Sequence, residues 1–226
     1  EEVYKSKNVI IPSQNTKLKF DISKKKFENF KKKININNQK KNYSNSFLKK
    51  NFTTKDKVLG IHLRGTSYKT ASGHALPPTA EIMSEFIDDL IRKYNYNKLF
   101  LVTEEKEYLN FFIKKYSKLC VFINGYRSYK NDAFLLYPRK NHRYLLGKET
   151  LQEALILSKC DGLAYIKSNL ISASIFFSKK KQIKHPIFLG FNSRRRFISR
   201  WFWHIKKLLP KNYGGLKIIS KKDNHY

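Results

Sequence analysis

The sequence predicts an α/β domain in which a parallel sheet carries helices on its faces. From residue 56 onward, short apolar runs typical of buried strands alternate with stretches whose apolar residues recur at helical spacing. An order of strand, helix, strand, helix, strand favours a parallel sheet, because each crossover between parallel strands needs a connecting helix. A composition of 41% hydrophobic and 15% aromatic residues over 226 residues is enough to build such a core.

Each predicted element has its own signal in the sequence. Strands are predicted at residues 58–61, 98–103, 119–123, 163–166 and, around Ile187–Leu189, at 185–190. Helices are predicted at 79–94, 106–116, 150–160, 170–178 and 193–211. Thr79 is expected to cap the first of these helices, and Thr150 with Glu153 has the spacing of a capping box at the start of the third. Residues 124–147 are predicted to form a long irregular loop that carries Arg127, Arg139, His142 and Arg143.

Three segments divide the chain. Residues 1–55 are predicted to be a basic N-terminal segment or the remnant of an acceptor-side domain, with an extended piece at Val9–Pro12. Within Lys24–Asn51, Phe27 and Phe30 permit a basic helix that docks by a thin stripe. This stretch is either a solvated linker or connecting helix, or a surface that faces the acceptor or a membrane. Residues 56–192 form the α/β domain, and residues 193–226 form a basic aromatic helix and a loose tail. Because the chain begins with Glu rather than Met, we expect that an N-terminal part is missing.

A formal charge of +30, from 47 Lys and Arg against 17 Asp and Glu, predicts an anionic partner. Nucleic acid, an acidic membrane surface and a phosphorylated substrate all satisfy this condition. No apolar run is long enough to predict a membrane-spanning helix. The helix at 193–211 interleaves aromatic and basic residues, which is typical of a helix at a membrane interface. A closing helix that covers the sheet explains it as well, and the two explanations are compatible.

The two cysteines indicate free thiols rather than a disulfide. Cys120 and Cys160 both lie in apolar surroundings. They predict buried thiols and a reducing compartment.

Polar residues follow three of the predicted strands, at His62–Ser67, Thr103–Glu105 and Lys167–Asn169. The carboxyl ends of parallel strands meet at one edge of a sheet, so these loops are expected to converge there. Arg64 offers a charged donor fork that suits phosphate oxygens, and Gly65 allows a close approach of the backbone. The sequence has no P-loop, no GxGxxG and no CxxC or HExxH spacing. The site therefore suits a nucleotide diphosphate held without a metal.

The same segments resemble a known family. HLRGTS at 62–67 resembles the HxRGTD or HxRRxD signature of the GDP-fucose-dependent fucosyltransferases, the superfamily of α1,6-, α1,2- and protein O-fucosyltransferases. LVTEEKEY at 101–108 is similar to the LATDDxxY segment of that superfamily. Residues 147–172, GKETLQEALILSKCDGLAYIKSNLIS, resemble its third block, a GKExLxD helix followed by a strand and a polar loop. The blocks occur in the family's order and cover about residues 56–180.

The resemblance implies a GT-B-like fold, mostly represented by its nucleotide-sugar-binding half at 56–192, and an inverting sugar transfer without metal or other cofactor. Arg64 would contact the donor pyrophosphate with His62 beside it, and these two are the catalytic candidates. Glu153 would hold the guanine or its ribose. The remaining donor-binding candidates are Gly65, Thr66, Glu104, Glu105, Ser168 and Asn169.

The chain also departs from the family pattern. Gly65 stands where many members have a second Arg, and Ser67 stands where they have Asp. Glu104 and Glu105 replace the Asp residues that the family prefers. No residue stands out as the catalytic base, for which Glu81, His74 and the N-terminal region are candidates.

Together these features predict a glycosyltransferase that moves a sugar, with fucose as the implied one, from a GDP-sugar to a glycan or lipid-linked acceptor in glycan biosynthesis. The enzyme is expected in the cytoplasm or at the cytoplasmic face of a membrane with an anionic surface, or in the Golgi lumen if the source is eukaryotic. One alternative is a catalytically degenerate domain that binds nucleotide or glycan without turnover. The other is a basic nucleic-acid-binding protein, which is suggested by charge alone.

Overall fold

The structure, a computed structural model, describes residue 36 and residues 38–129 and 137–219. Its helices are α1 (Asn38–Asn51), α2 (Thr66–Thr70), α3 (Ala80–Tyr94), α4 (Lys106–Tyr116), α5 (His142–Leu157), α6 (Asn169–Phe177) and α7 (Arg196–Leu208). Its strands are β1 (Val58–Leu63), β2 (Lys98–Thr103), β3 (Cys120–Val121), β4 (Gly162–Tyr165) and β5 (Ile183–Pro186). The predicted extended piece at 9–12, and Phe27 and Phe30 of the predicted basic helix, lie outside the described residues.

The strands form one parallel sheet in the order β3-β2-β1-β4-β5. β1 lies at the centre and pairs with β2 from Val58 opposite Lys98 to Leu63 opposite Thr103. On its other side β1 pairs with β4, where His62 lies opposite Tyr165. The predicted α/β class with a parallel sheet flanked by helices is confirmed.

Alternating side chains of the sheet pack into two apolar layers. Leu59, Ile61 and Leu63 belong to a core cluster that also contains residues of α3, α4 and α7. Val58, Phe100 and Leu163 belong to a second cluster, which contains residues of α5 and α6 and is covered in part by α1. All six residues of β1 are buried. The central strand is thus sealed on both faces, as is usual in parallel sheets.

Helix α5 begins earlier than predicted, and the capping box is wrong. The helix begins at His142 after Asn141, which adopts the left-handed conformation with φ of 55°. Thr150 lies in mid-helix, where its Oγ1 donates to the carbonyl oxygen of Leu146 at 2.8 Å. Glu153 is therefore not a capping residue.

Two strands differ from their predicted positions. β5 spans Ile183–Pro186 and so overlaps the predicted strand at 185–190 only at His185 and Pro186, and Ile187 adds a backbone hydrogen bond to the Tyr165 carbonyl at 2.8 Å. β3 is reduced to Cys120–Val121, at the edge of the sheet. The apolar residues Ile187 and Leu189 are buried beyond the strand, which explains why periodicity placed the strand on them.

Both cysteines are free, as predicted. Cys160 is buried and Cys120 is partly buried. Burial raises the pKa of the Cys120 thiol to about 12 and raises the pKa of Cys160 as well. Both thiols are therefore protonated and unreactive near neutral pH.

Helix α7 closes one side of the sheet through a single face. Trp203 is buried in the core, and its Nε1 donates to the Pro77 carbonyl at 2.8 Å. Ser199 is also buried, and its Oγ lies 3.0 Å from the carbonyl oxygen of Thr70 in α2. The interpretation of α7 as a closing helix is correct for this face.

The two tryptophans of α7 provide a test of that packing. Trp203→Ala should lower the free energy of unfolding by about 3–5 kcal/mol, because it leaves a cavity and an unpaired carbonyl. Trp201→Ala is the matched control, since Trp201 is 60% exposed, and should change the stability by less than about 0.5 kcal/mol. Urea denaturation of both variants measures the difference. Equal losses would contradict the docking of α7 through Trp203.

Candidate functional site

A cavity of about 770 Å³ opens at the carboxyl ends of β1, β2 and β4. Its walls come from the ends of β1 and β2, the loop after β3, and helices α5 and α6. The lining includes His62, Arg64, Glu104, Tyr126, Arg127, Arg143, Gly147, Glu149, Glu153 and Asn169. This is the edge of the sheet at which the polar loops were expected to converge.

His62, the fifth residue of β1, is a buried neutral imidazole. Burial, and to a smaller extent the charge of Arg64, lower its pKa to about 4, and a hydrogen bond with the Ile166 backbone opposes this shift. Its Nδ1 lies 3.4 Å from the Oγ of Ser168. Near neutral pH, His62 can therefore donate or accept a hydrogen bond at the cavity wall but carries no charge.

Arg64 is a partly exposed cation that contacts Tyr68 and Glu104. Its guanidinium lies over the Tyr68 ring, 4.9 Å from the ring centroid. Its Nε lies 3.6 Å from Oε1 of Glu104 and has no hydrogen-bond partner within the described part of the chain. With its side chain 32% exposed at the cavity, Arg64 can receive an anion.

Glu104 lines the cavity, and Thr66 forms a hydrogen bond with its carboxylate. The Thr66 hydroxyl donates to Oε1 of Glu104 at 2.7 Å. The backbone carbonyl of Glu104 accepts from the Ser128 amide at 2.9 Å, which ties the loop after β2 to the loop after β3. Thr66 itself is not among the cavity-lining residues.

Glu105 and Gly65 fit against each other beneath the cavity rather than lining it. Glu105 is buried and forms an ion pair with Lys69. Burial raises the pKa of Glu105, and the contact with Lys69 opposes this effect. A Cβ atom at Gly65 would overlap Oε2 of Glu105. The Glu105 carboxylate thus occupies the space that a side chain at position 65 would need.

Glu153 also lines the cavity and is paired with a buried arginine. Its Oε1 accepts from Nη2 of Arg127 at 2.9 Å, and both side chains are less than 10% exposed. Burial raises the pKa of Glu153 to about 7, although Arg127 opposes the shift. Nε of Arg127 has no hydrogen-bond partner in the described residues. The sequence identifies Arg127 only as a residue of the long loop, because Glu153, with which it pairs, lies 26 positions away in the chain.

Glu149 is a cavity residue that the sequence analysis missed. Arg139 donates to both of its oxygens, at 2.6 and 2.7 Å. Burial acts to raise the pKa of Glu149, but the hydrogen bonds and charge of Arg139 outweigh this effect, so the pKa is lowered. Glu149 belongs to the GKE motif of the third block, and that motif could have identified it.

Ser168 and Asn169 begin helix α6. Ser168 is the N-cap, and its Oγ accepts from the Ile171 amide at 3.3 Å. Asn169 lines the cavity at the first turn of the helix, where the helix dipole favours an anion. Ser168 is buried behind it and is not among the lining residues.

The predicted site residues therefore separate into two groups. His62, Arg64, Glu104, Glu153 and Asn169 line the cavity, whereas Gly65, Thr66, Glu105 and Ser168 support the loops around it. Neither candidate base lines the cavity. His74 packs against Tyr68, with ring centroids 4.9 Å apart, and Glu81 lines a small separate cleft beside Lys69.

Comparison with known proteins yields matches of structure only. No protein-family model matches the chain, and no curated protein matches it in sequence. The α1,6-fucosyltransferase NodZ co-crystallised with GDP is similar over 74% of this chain and 49% of its own, with a TM-score of 0.48 and 12% identity. Fucosyltransferase NodZ from Bradyrhizobium gives a TM-score of 0.47 at 12% identity, over 74% of this chain and 50% of its own.

POFUT1 in complex with GDP-fucose is similar over 72% of this chain and 49% of its own, with a TM-score of 0.43 and 9% identity. The chain spans about half the length of the solved structures it matches.

The contact of Gly65 with Glu105 can be tested by a double-mutant cycle. Gly65→Ala should lower the free energy of unfolding by about 1–3 kcal/mol, because the added methyl overlaps the Glu105 carboxylate. Combined with Glu105→Asp, which withdraws that carboxylate, the cost of Gly65→Ala should fall by at least half. Chemical denaturation of the four proteins measures the coupling. Strictly additive effects would show that the two positions do not compete for space.

The buried His62 predicts loss of stability in acid. Its pKa falls from 6.5 in the unfolded chain to about 4 in the fold, so its contribution is present above pH 6.5 and is lost as the pH falls toward 4. Between pH 8 and pH 5 this loss is on the order of 2 kcal/mol. The His62→Gln variant should lose less stability than the parent by about that amount over the same interval, as measured by urea denaturation. Identical losses would place the acid sensitivity elsewhere.

Proposed function

We propose that this protein is a glycosyltransferase that takes a sugar from a GDP-sugar, with GDP-fucose as the donor, and transfers it to a glycan or lipid-linked acceptor. The observation that carries the proposal is the cavity at the carboxyl edge of the sheet. Its lining includes both an arginine with donor capacity and a buried carboxylate. The three sequence blocks that resemble the GDP-fucose-dependent fucosyltransferases supply most of its wall residues.

Arg64 is the group that would hold the donor diphosphate. It is the cation of the β1 loop, it is partly exposed to the cavity, and its contact with Glu104 is a loose one of 3.6 Å. A guanidinium pairs with two phosphate oxygens at once, so it neutralises charge and orients the group. Asn169 and the first turn of α6 lie at the same cavity and would contact the same anion.

Glu153 is the group that would select the base. Guanine presents its N1–H and its 2-amino group side by side, and a carboxylate can accept from both, whereas adenine and the pyrimidines present no such pair. Arg127 pairs with Oε1 of Glu153 and keeps a carboxylate available in a buried setting where the pKa is about 7. The ion pair favours the ionised form of Glu153, which is the form that can accept from both groups of guanine.

The proposed reaction is a direct displacement with inversion. The acceptor hydroxyl oxygen forms a bond to the anomeric carbon as the bond from that carbon to the diphosphate oxygen breaks, and the electron pair leaves on the diphosphate. Arg64 would stabilise the negative charge as it develops there, which is the role that a metal plays in other transferases. The hydroxyl proton must pass to a base or to the departing diphosphate, and neither Glu81 nor His74 lines the cavity.

A second candidate is a domain that binds the nucleotide without turnover. Ser67 favours it, because a hydroxyl stands where many relatives of the sequence pattern carry a carboxylate. Ser67 lies in α2 and its carbonyl accepts from the Ala71 amide, an ordinary contact within a helical turn. Binding and turnover measured on the same protein separate the two candidates.

Calorimetry with GDP, GMP and UDP tests the donor site. We expect GDP to bind more tightly than UDP, because only guanine satisfies Glu153, and more tightly than GMP, because Arg64 needs the second phosphate. Arg64→Ala should weaken GDP binding about 10- to 100-fold, the range for a lost charge-assisted hydrogen bond. Arg92→Ala is the control, since Arg92 is an exposed residue of α3 that pairs only with Asp89 among the described residues.

A panel of GDP-sugar donors then tests turnover. GDP-fucose should be hydrolysed or transferred faster than the other GDP-sugars, and a chelator should leave the rate unchanged. Tight GDP binding with no turnover of any donor would favour the non-catalytic candidate. Near-normal transfer by Arg64→Ala would contradict the assignment of Arg64.

A further inference from the structure

Helix α7 carries a second apolar face that the described part of the chain leaves exposed. The residues that dock it, Ser199 and Trp203, lie on one side of the helix. On the opposite side, four large apolar residues recur at intervals of four, four and three positions and form one stripe. These residues are exposed, at 77% for Phe197, 60% for Trp201, 54% for Ile205 and 84% for Leu208.

The stripe does not end with the helix. Leu209 is 42% exposed, and Tyr213, in the short 3₁₀ turn that follows, is 78% exposed. Scattered exposed apolar residues are ordinary on a protein surface, but a continuous stripe of this length marks an interaction site.

Basic side chains border this stripe. Arg196, Arg200 and Lys207 lie along one edge of α7, all exposed, between the apolar stripe and the docking face. Residues 193–219 contain eight Lys and Arg and no Asp or Glu. Two of the cations, Arg194 and Arg195, are exposed directly before the helix begins.

The chemistry of this surface points to one kind of partner. The charges that border the apolar stripe are all positive, since residues 193–219 contain no Asp or Glu, and charge of one sign fits an anionic surface. A helix parallel to a bilayer places aromatic and aliphatic side chains at the boundary of the acyl chains, while its Lys and Arg side chains reach lipid phosphates. We infer that the exposed face of α7 binds the surface of an anionic lipid bilayer.

Several contacts fix helix α7 to the rest of the protein, so that its exposed face is presented by a rigid element. Trp203 anchors it in the core, and Asn192 before it donates through Nδ2 to the carbonyl oxygens of Lys69 and Ser199, at 3.2 and 3.0 Å. Ser199 adds a hydrogen bond to Thr70. Lys69 and Thr70 belong to α2, which begins two residues after Arg64. Contact with a bilayer would therefore bring the loop of the candidate donor site near the lipid surface.

No helix in the described part of the chain is long and apolar enough to cross a bilayer. The proposal concerns attachment at the surface, and it does not depend on the proposed enzymatic function, because none of the residues of the stripe lines the cavity.

Vesicle sedimentation with the full chain tests the inference. Vesicles of phosphatidylcholine with about one third phosphatidylglycerol should bind the protein at least tenfold more tightly than vesicles of phosphatidylcholine alone. Binding should weaken as salt is raised, because the contribution of the cations is screened. The double variant Trp201→Ser with Leu208→Ser should lose at least tenfold in affinity, and Arg196→Gln with Arg200→Gln should lose both affinity and salt dependence.

Matched controls come from α4 and the turn after it. Ile113 and Leu119 are 37% and 39% exposed on another surface, so Ile113→Ser with Leu119→Ser removes exposed apolar groups without touching α7. Lys114→Gln with Lys118→Gln removes two exposed charges there. Both control pairs should keep binding within about twofold of the parent, and all variants should keep the parent's unfolding midpoint and GDP affinity.

Several outcomes would overturn the inference. Failure of the parent to bind the anionic vesicles would do so, as would binding that Trp201→Ser with Leu208→Ser leaves intact. A parent that is dimeric by light scattering and becomes monomeric in that variant, with no vesicle binding, would assign the stripe to a second copy of the chain. Binding to a DNA duplex without vesicle binding would assign the cations to nucleic acid.

Discussion

The parallel pairing of β1 with β2 on one side and β4 on the other is the constraint on which the site depends. Because all three strands run in the same direction, the chain leaves each of them at the same edge of the sheet. Arg64, Glu104 and Asn169 follow these strands and reach one cavity, although up to 105 positions separate them in the chain. The pairing in turn depends on β1 being apolar enough to be buried on both faces.

Around this edge of the sheet, three carboxylates each form an ion pair with a cation. Arg64 and Glu104 form a loose pair at the cavity, Lys69 and Glu105 form a buried pair beneath it, and Arg127 and Glu153 form a buried pair in its wall. Burial of a charge is costly, and a close partner offsets that cost only in part. The raised pKa values of Glu105 and Glu153 reflect the same balance. The two buried pairs fix the shape of the site, which leaves the exposed Arg64 as the cation of the β1 loop able to meet a ligand.

Helix α7 shows how one amphipathic segment can serve two surfaces. A sequence with apolar residues on two sides of a helix cannot bury both against a single sheet. Trp203 and Ser199 take the inner side, and Phe197, Trp201, Ile205 and Leu208 remain outside. The positively charged side chains of this segment lie at the border of the exposed stripe.

Local pattern determined most of the fold. Apolar runs located β1, β2 and β4, helical spacing located α3, α4 and α6, and the alternation of the two predicted a parallel sheet, because these properties depend on neighbours in the chain. The polar residues that follow β1, β2 and β4 are also local features, so the sequence alone predicts that they form a site. Where the local signal was ambiguous it failed, as at the start of α5, where a threonine and a glutamate imitate a capping box inside a helix.

Tertiary structure alone decided which of the named residues face the cavity. The sequence could not show that Glu105 points beneath the loop toward Lys69, 36 positions away, or that Gly65 is required by that carboxylate. Nor could it show that Arg127 pairs with Glu153, or which face of α7 is buried. Each of these facts depends on how distant segments share space and on the desolvation of charges, and neither is encoded in the spacing of residues along the chain.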